Sequence, residues 1–434
     1  MLEQAVERFQ AVLAADPDYA PAWVALAEAT ILLRDTPDSW GNLSLEEVVA
    51  RATPALERAL ALDPDLADAY AARGLMYTDQ DRYEEALANY DRAIALNPNL
   101  ARAHRWRAKT LGEEFGRFRD ATAGLETALR LDPLSVMANN NLSLNLQARG
   151  RFEEARVYAD RVMALNPTLG HANLSEWYWA KGDYAGAVIE FNHALTPDPT
   201  RTRYRLYLAF QLLDLGMAST AQPWFGDRAD FALTAQARHT EALEHLQNLF
   251  LRRPDDTFVI SRLARALLNA GDAEGAARQF RRLYDVNPQW ILRFIGVIDA
   301  LSYARALALT GDDAGAMGQI TATRAEIDRR RAEGLDNTWL DFNDSMLLAN
   351  EGRTDEALTM MNQALDRGRL LWQLDVLPVP ADFLTHPGFQ AIRDRNAAER
   401  TREQAEINRR LCGPASDIPD HEYKTAICAA LVGG

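Results

Sequence analysis

Cysteine is scarce in this chain: Cys412 and Cys428 are the only two in 434 residues, 16 apart in the C-terminal tail. They bracket a loop and form a disulfide if the protein is exported, whereas in a cytoplasmic protein they are small hydrophobes. No signal peptide opens the sequence shown, which favours a cytoplasmic protein with the second reading over a periplasmic one. Basic charge is also lacking. The net charge of −15 excludes broad electrostatic attraction to nucleic acid or anionic lipid. No stretch reaches 18 uncharged apolar residues; the nearest, Trp290 to Leu309, carries Arg293, Asp299 and Arg305 at helical spacing and reads as a packed amphipathic helix. Catalytic signatures are missing too: no Gly-x-Ser-x-Gly, no P-loop, no dinucleotide fingerprint, no His-Glu-x-x-His. The seven histidines are scattered, and His239 and His245, six apart on one predicted helix, face different ways and share no metal. These absences point away from an enzyme, a metal or a cofactor.

What the chain has is a period. Pro17, Pro64, Pro98, Pro133, Pro167, Pro199, Pro254 and Pro288 are separated by 47, 34, 35, 34, 32, 55 and 34 residues. Most sit in one phrase, as in "ALDPDL", "ALNPNL" and "DVNPQW". Self-similarity at that spacing is the mark of a solenoid, which escapes the usual domain-size rule by growing in one dimension. Strand-type runs are few, and alanine and leucine dominate the 48% hydrophobic content. The fold class is therefore all-α.

The clearest copy runs from Ala67 to Leu100, "ADAYAARGLMYTDQDRYEEALANYDRAIALNPNL". Gly74 and Ala86 are small and let two helices approach; Tyr70, Tyr77 and Tyr90 fill the space between them. Asn97-Pro98 ends the second helix. The spacing of Tyr70, Gly74, Tyr77, Ala86, Tyr90, Ala93 and Pro98 resembles the tetratricopeptide repeat (TPR). Further copies close at Ala155 and Pro167, at Ala187 and Pro199, and at Ala276 and Pro288, with second helices also expected around Ala316 and Ala357. The recurring Gly-[Asp/Arg]-x-x-x-x-Ala step reads as a C-cap glycine followed by the next helix start. The resemblance covers about residues 1–367 and implies a right-handed superhelix, an α-solenoid of about 8–9 helix pairs and 18 to 22 helices with irregular ends. His104 and His171 occupy comparable first-helix positions and read as ring fillers replacing Trp or Tyr.

The pattern breaks in four places. Residues 1–17 match a second helix with no first helix before it, so the chain is expected either to begin with a cap or to continue a longer protein, the latter being favoured. An insertion falls near residues 34–51, where Ser44 and Glu47 form a capping-box pattern and Trp40 is a plug or a ligand contact. Residues 216–238 contain Pro223-Trp224-Phe225-Gly226, which cannot continue a helix; they are an irregular repeat, or a bend between an array at 1–215 and one at 239–374. Residues 375–411 form a capping region with a charged helix, and 412–434 a tail. This last part resembles the ends of the repeat regions in bacterial class III adenylate cyclases and in TolB-like or winged-helix regulators.

In tetratricopeptide families the first helix of each repeat lines the concave face. Carried onto this chain, that face holds Arg102, Arg105, Trp106 and Lys109, then Asn140 and Asn141, then Asn173, Glu176 and Trp179, then Arg205. Cations and amides grouped in an acidic protein suit an acidic segment or a free C-terminal carboxylate. The carboxylate clamp of chaperone-binding repeats is similar, but its residue set is not reproduced. The resemblance thus implies a non-enzymatic scaffold that holds a partner's peptide in its groove. The alternative is a ligand-sensing module of a larger signalling protein, whose output domain would lie upstream.

Overall fold

Helix pairs form because small residues meet where the helices cross, and residues with positive φ, such as Asp81, Gly116, Gly150 and Gly271, turn the chain between many of them. The computed structural model describes residues 2–34, 43–293, 296–371, 374 and 376–433. Trp40 lies outside the described residues. Two compact units are found, residues 1–145 and 146–434.

The first unit contains α1 (Leu2–Ala15), α2 (Ala20–Leu32), α3 (Leu45–Leu62), α4 (Ala67–Asp79), α5 (Tyr83–Leu96), α6 (Ala101–Glu113), α7 (Phe118–Leu131) and most of α8 (Val136–Ala148). Here helices pack on their neighbours or next neighbours in sequence, as a one-dimensional array requires. Ser44 caps α3 as expected: Glu47 N donates to Ser44 Oγ at 3.2 Å and Ser44 N to Glu47 Oε2 at 2.9 Å. Gly74 is fixed by packing, since a Cβ there would stand 2.6 Å from the Tyr90 ring. Ala86, Tyr90 and Ala93 beside it are fully buried. One lock recurs between repeats. The residue six places after the repeat proline reaches back to that proline's carbonyl: Trp23 to Pro17, Tyr70 to Pro64, His104 to Pro98 and Asn139 to Pro133, at 2.9 to 3.3 Å. His104 thus fills the aromatic position.

The second unit continues with α9 (Phe152–Leu165), α10 (Pro167–Ala180), α11 (Tyr184–Leu195), α12 (Thr202–Asp214), α13 (Ala218–Ala221), α14 (Asp230–Ala235), α15 (His239–Arg252), α16 (Thr257–Asn269) and α17 (Ala273–Val286). Then come α18 (Gly296–Leu309), α19 (Asp313–Ala332), α20 (Thr338–Asn350), α21 (Thr354–Asp366), α22 (Ala381–Leu384), α23 (Pro387–Leu411) and α24 (Glu422–Gly433). The described residues thus hold 24 α-helices, above the 18 to 22 expected, because short pieces such as α13, α14 and α22 break off where proline or glycine interrupts. No strand is found among them; Arg34 and Leu43 make one isolated bridge. Residues 216–238 lie inside this unit, where two 3-10 turns at 222–228 separate α13 from α14. Asp183, Asp272 and Asp312 cap α11, α17 and α19, each accepting from the backbone N–H of a glycine three residues on.

This unit closes on itself. α23 packs on α11, and α24 on α13. Leu370 N donates to Tyr184 Oη at 3.0 Å, Arg400 Nε to Asp214 O at 2.7 Å, Gln404 Nε2 to Leu215 O at 2.7 Å, and Tyr423 Oη to Pro199 O at 2.6 Å. The backbones of Gly182 and Gly368 touch; a Cβ on Gly182 would stand 2.4 Å from Gly368 Cα, and both residues have positive φ. Leu411, Ile418, Tyr423 and Ile427 enter the same apolar core as Phe191, Leu212 and Phe225.

Two expectations are corrected here. Cys412 and Cys428 are joined in a disulfide rather than reduced, because α24 folds back on α23 and sets their Cα atoms 5.5 Å apart, inside the range a bridge spans. His171 is no counterpart of His104. It stands four residues after Pro167, where His104 stands six after Pro98, and α10 begins at Pro167 itself with Asn166 as its cap. His171 Nδ1 instead meets Glu190 Oε2 at 2.7 Å, and its ring stacks on His193 at 4.9 Å.

Candidate functional site

In the first unit the first helices of successive pairs, α2, α4 and α6, stack on one another. They bring together Glu28, Asp68, Arg102 and Arg105. Arg102 Nη2 lies 3.2 Å from Glu28 Oε1 and also pairs with Asp68. Burial pushes the Glu28 carboxyl up to about 7; Arg102 opposes the rise, Asp68 adds to it, and Arg105 opposes it. Arg105, nearly one turn further along α6, has no ion pair among the described residues. Its guanidinium carbon lies 5.3 Å from the Trp106 ring centroid, and burial lowers its pKa. Trp106 packs against Ala71, Ala93 and Ala103 and, 6.4 Å away, against Tyr90.

The remaining expected residues of this unit differ among themselves. Lys109 is exposed and pairs with Glu113 on its own helix. Asn140 is buried, 6% exposed. Asn141 Nδ2 is buried and lacks a hydrogen-bond partner among the described residues.

In the second unit Asn173, Glu176 and Trp179 lie on α10 and Arg205 on α12. Asn173 Oδ1 accepts from Gln147 Nε2 at 3.4 Å. Burial pushes Glu176 up to about 7, with Arg203 the opposing charge. Trp179 Nε1 donates to Asp214 Oδ2 at 2.8 Å, and Arg369 stands 5.2 Å from the Trp179 ring and 4.9 Å from that of Trp339. Burial also raises the Asp214 pKa, against Arg369, Trp179 and Arg400. Arg205 acts on Tyr423 of the returning C-terminal helix. Trp179 and Arg205 are therefore held by the closure of this unit.

Glu28, Asp68, Arg203, Asp214 and Arg369 were not among the expected residues. For one of these a signal was present: Glu28 is the only charged residue of the otherwise apolar α2, as the expected Glu176 is the only acidic one of α10. Among the described residues no group of three or more His, Cys, Asp or Glu is arranged to hold a metal ion, and no helix is long and apolar enough to cross a membrane.

Comparison with known proteins places the repeats. Residues 74–113 match the family described as TPR repeat, and residues 113–170 the one described as Tetratricopeptide repeat. No curated protein matches the sequence. Among solved structures, YrrB, a TPR protein with an unusual peptide-binding site, is 20% identical, with 46% of this chain and 97% of that one covered and a TM-score of 0.31. PilF of Pseudomonas aeruginosa is 19% identical over 47% of this chain and 88% of its own, with a TM-score of 0.36. A monomeric mutant of IFIT1 with Gppp-AAAA is 16% identical over 87% and 86%, with a TM-score of 0.41.

Proposed function

Because this chain is a tetratricopeptide repeat protein, a family that serves in general as a non-enzymatic interaction scaffold, we propose that it holds a peptide of a partner protein on the stacked first helices of residues 1–145. The observation that supports this most is Arg105. It is a cation drawn partly out of water, with an aromatic ring on one side and no carboxylate paired to it among the described residues. A desolvated guanidinium of that kind is best satisfied by a carboxylate brought from outside. Arg102 is already committed to Glu28 and Asp68, so its role is to hold the local charge balance. Asn141, with a spare amide donor on α8, suits a peptide carbonyl.

The ligand this favours is an acidic segment or a free C-terminal carboxylate. Acidic pentapeptides with a free C-terminus, titrated in low salt, are expected to bind, and Arg105→Gln to weaken them at least tenfold while the helical signal stays unchanged. Binding that survives Arg105→Gln would move the site elsewhere. The Cys412–Cys428 bridge favours an oxidising compartment, such as the periplasm, over the cytoplasm.

A further inference from the structure

The second unit contains a cavity of about 260 Å³ that none of the expected site residues lines. It is formed by α14, α15, α16 and α18, with residues 376–379 and Leu384 of the capping region as its remaining wall. That wall is held in place. Leu377 and Val379 are buried, 6% and 1% exposed, and Asn350 Nδ2 donates to Pro378 O at 2.7 Å.

The charges around the cavity do not cancel. Arg262 is neutralised by Asp230: its Nε donates to Asp230 Oδ2 at 3.1 Å, and both side chains are less than a tenth exposed. Arg265 faces Asp299 at 3.2 Å, and that buried carboxylate also accepts from Ser261 and Trp290, each at 2.7 Å. Arg305 remains. It lines the cavity with no hydrogen bond or ion pair among the described residues. His239 lines it too, and its Nδ1 is buried without a partner there. The rest of the lining has more apolar than polar residues: Phe231, Leu246, Ile298 and Leu309 are among the former, and Thr234, Asn269 and Ser302 are the latter.

The geometry points to a binding site for a small monocarboxylate with a compact apolar body. One unmatched guanidinium calls for one negative charge, which a doubly charged phosphate ester would exceed. The unpaired His239 nitrogen adds a second polar contact. The apolar walls favour a hydrocarbon portion over a sugar, and the volume falls below the ~300–1,000 Å³ of sites for drug-sized ligands, so the acid is small. The carboxylate is that of a free acid or of the apolar last residue of a peptide.

Isothermal titration of the full chain with hexanoate, hexanamide and a leucine-terminated tripeptide separates these cases. Hexanoate is expected to bind one to one. Hexanamide should bind at least tenfold more weakly. Arg305→Gln should weaken hexanoate at least tenfold without moving the melting temperature of the free protein, since Arg305 pairs with no described residue; Arg105→Gln should leave it unchanged. A tripeptide that displaces hexanoate and shares its dependence on Arg305 identifies the source as a chain terminus; a tripeptide that does not bind identifies a free acid. Absence of binding by both acids, or equal affinity for acid and amide, or indifference to Arg305→Gln, overturns the proposal.

Discussion

The two units are built from the same helix pair and end differently. Residues 1–145 form an array whose helices pack chiefly on close neighbours in sequence, whereas residues 146–434 return on themselves, with α23 and α24 packed on α11 and α13. Each unit has a first helix with a single acidic residue, Glu28 in α2 and Glu176 in α10, and burial pushes both up to about 7. Their surroundings differ. Glu28 is paired with Arg102 from a neighbouring repeat, and Arg105 has no ion pair among the described residues. Around Trp179 the chain supplies its own partners, Asp214 and Arg369. Around Trp179 the partners are thus internal to the second unit, whereas Arg105 in the first has no ion pair among the described residues.

The closure gives the largest expected effect. Cys428→Ser removes a bridge closing a loop of sequence separation 16 and is expected to destabilise the second unit by about 2–4 kcal/mol, leaving the first unit's transition in place. Denaturant melts under oxidising and reducing conditions read this. A single transition shifting as a whole would show that the units do not melt separately.

Overpacking comes next. Ala86 and Ala187 are both fully buried where paired helices meet, and replacing either with leucine is expected to cost about 1–3 kcal/mol. Ala187→Leu should cost more, because α11 also carries α23. Equal melting temperatures for the two variants would remove that distinction.

A smaller effect depends on pH. Glu28 has its folded pKa raised from an ordinary 4.5 to about 7, so the folded state keeps a proton that the unfolded chain has lost. Stability contributed at this site is therefore present below about pH 4.5, falls as pH rises to about 7, and is flat above. Glu28→Gln should raise stability at pH 8 by about 1–2 kcal/mol and flatten the first unit's profile. Glu176→Gln should do the same for the second. A profile unchanged by either variant would mean that both carboxylates titrate normally.

The smallest is one hydrogen bond. Tyr423→Phe loses the bond to Pro199 O and is expected to cost about 1 kcal/mol in the second unit alone.

The repeat was legible because its determinants are local. Alanine, glycine and proline at fixed spacing encode close crossing and helix ends, and the structure places Ala86, Ala155, Ala187, Ala276 and Ala357 in buried positions accordingly. The capping box at Ser44 and the charged helix that became α23 were readable for the same reason. The closure was not. Its contacts join residues as far apart as Pro199 and Tyr423, or Asp214 and Arg400, and no periodicity encodes them. That is why the two cysteines read as reduced hydrophobes and why Trp179 and Arg205 read as free groove residues. His171 differs from His104 in a way the sequence already carries, four residues after its repeat proline instead of six.

Hydrogen exchange on the full chain, with the bridge intact and with Cys428→Ser, tests the difference between the units most directly. The account predicts that exchange accelerates together in α11, α13, α23 and α24 while α2 to α7 stay protected as before. Acceleration confined to α24, or spread evenly through α2 to α7 as well, would contradict it.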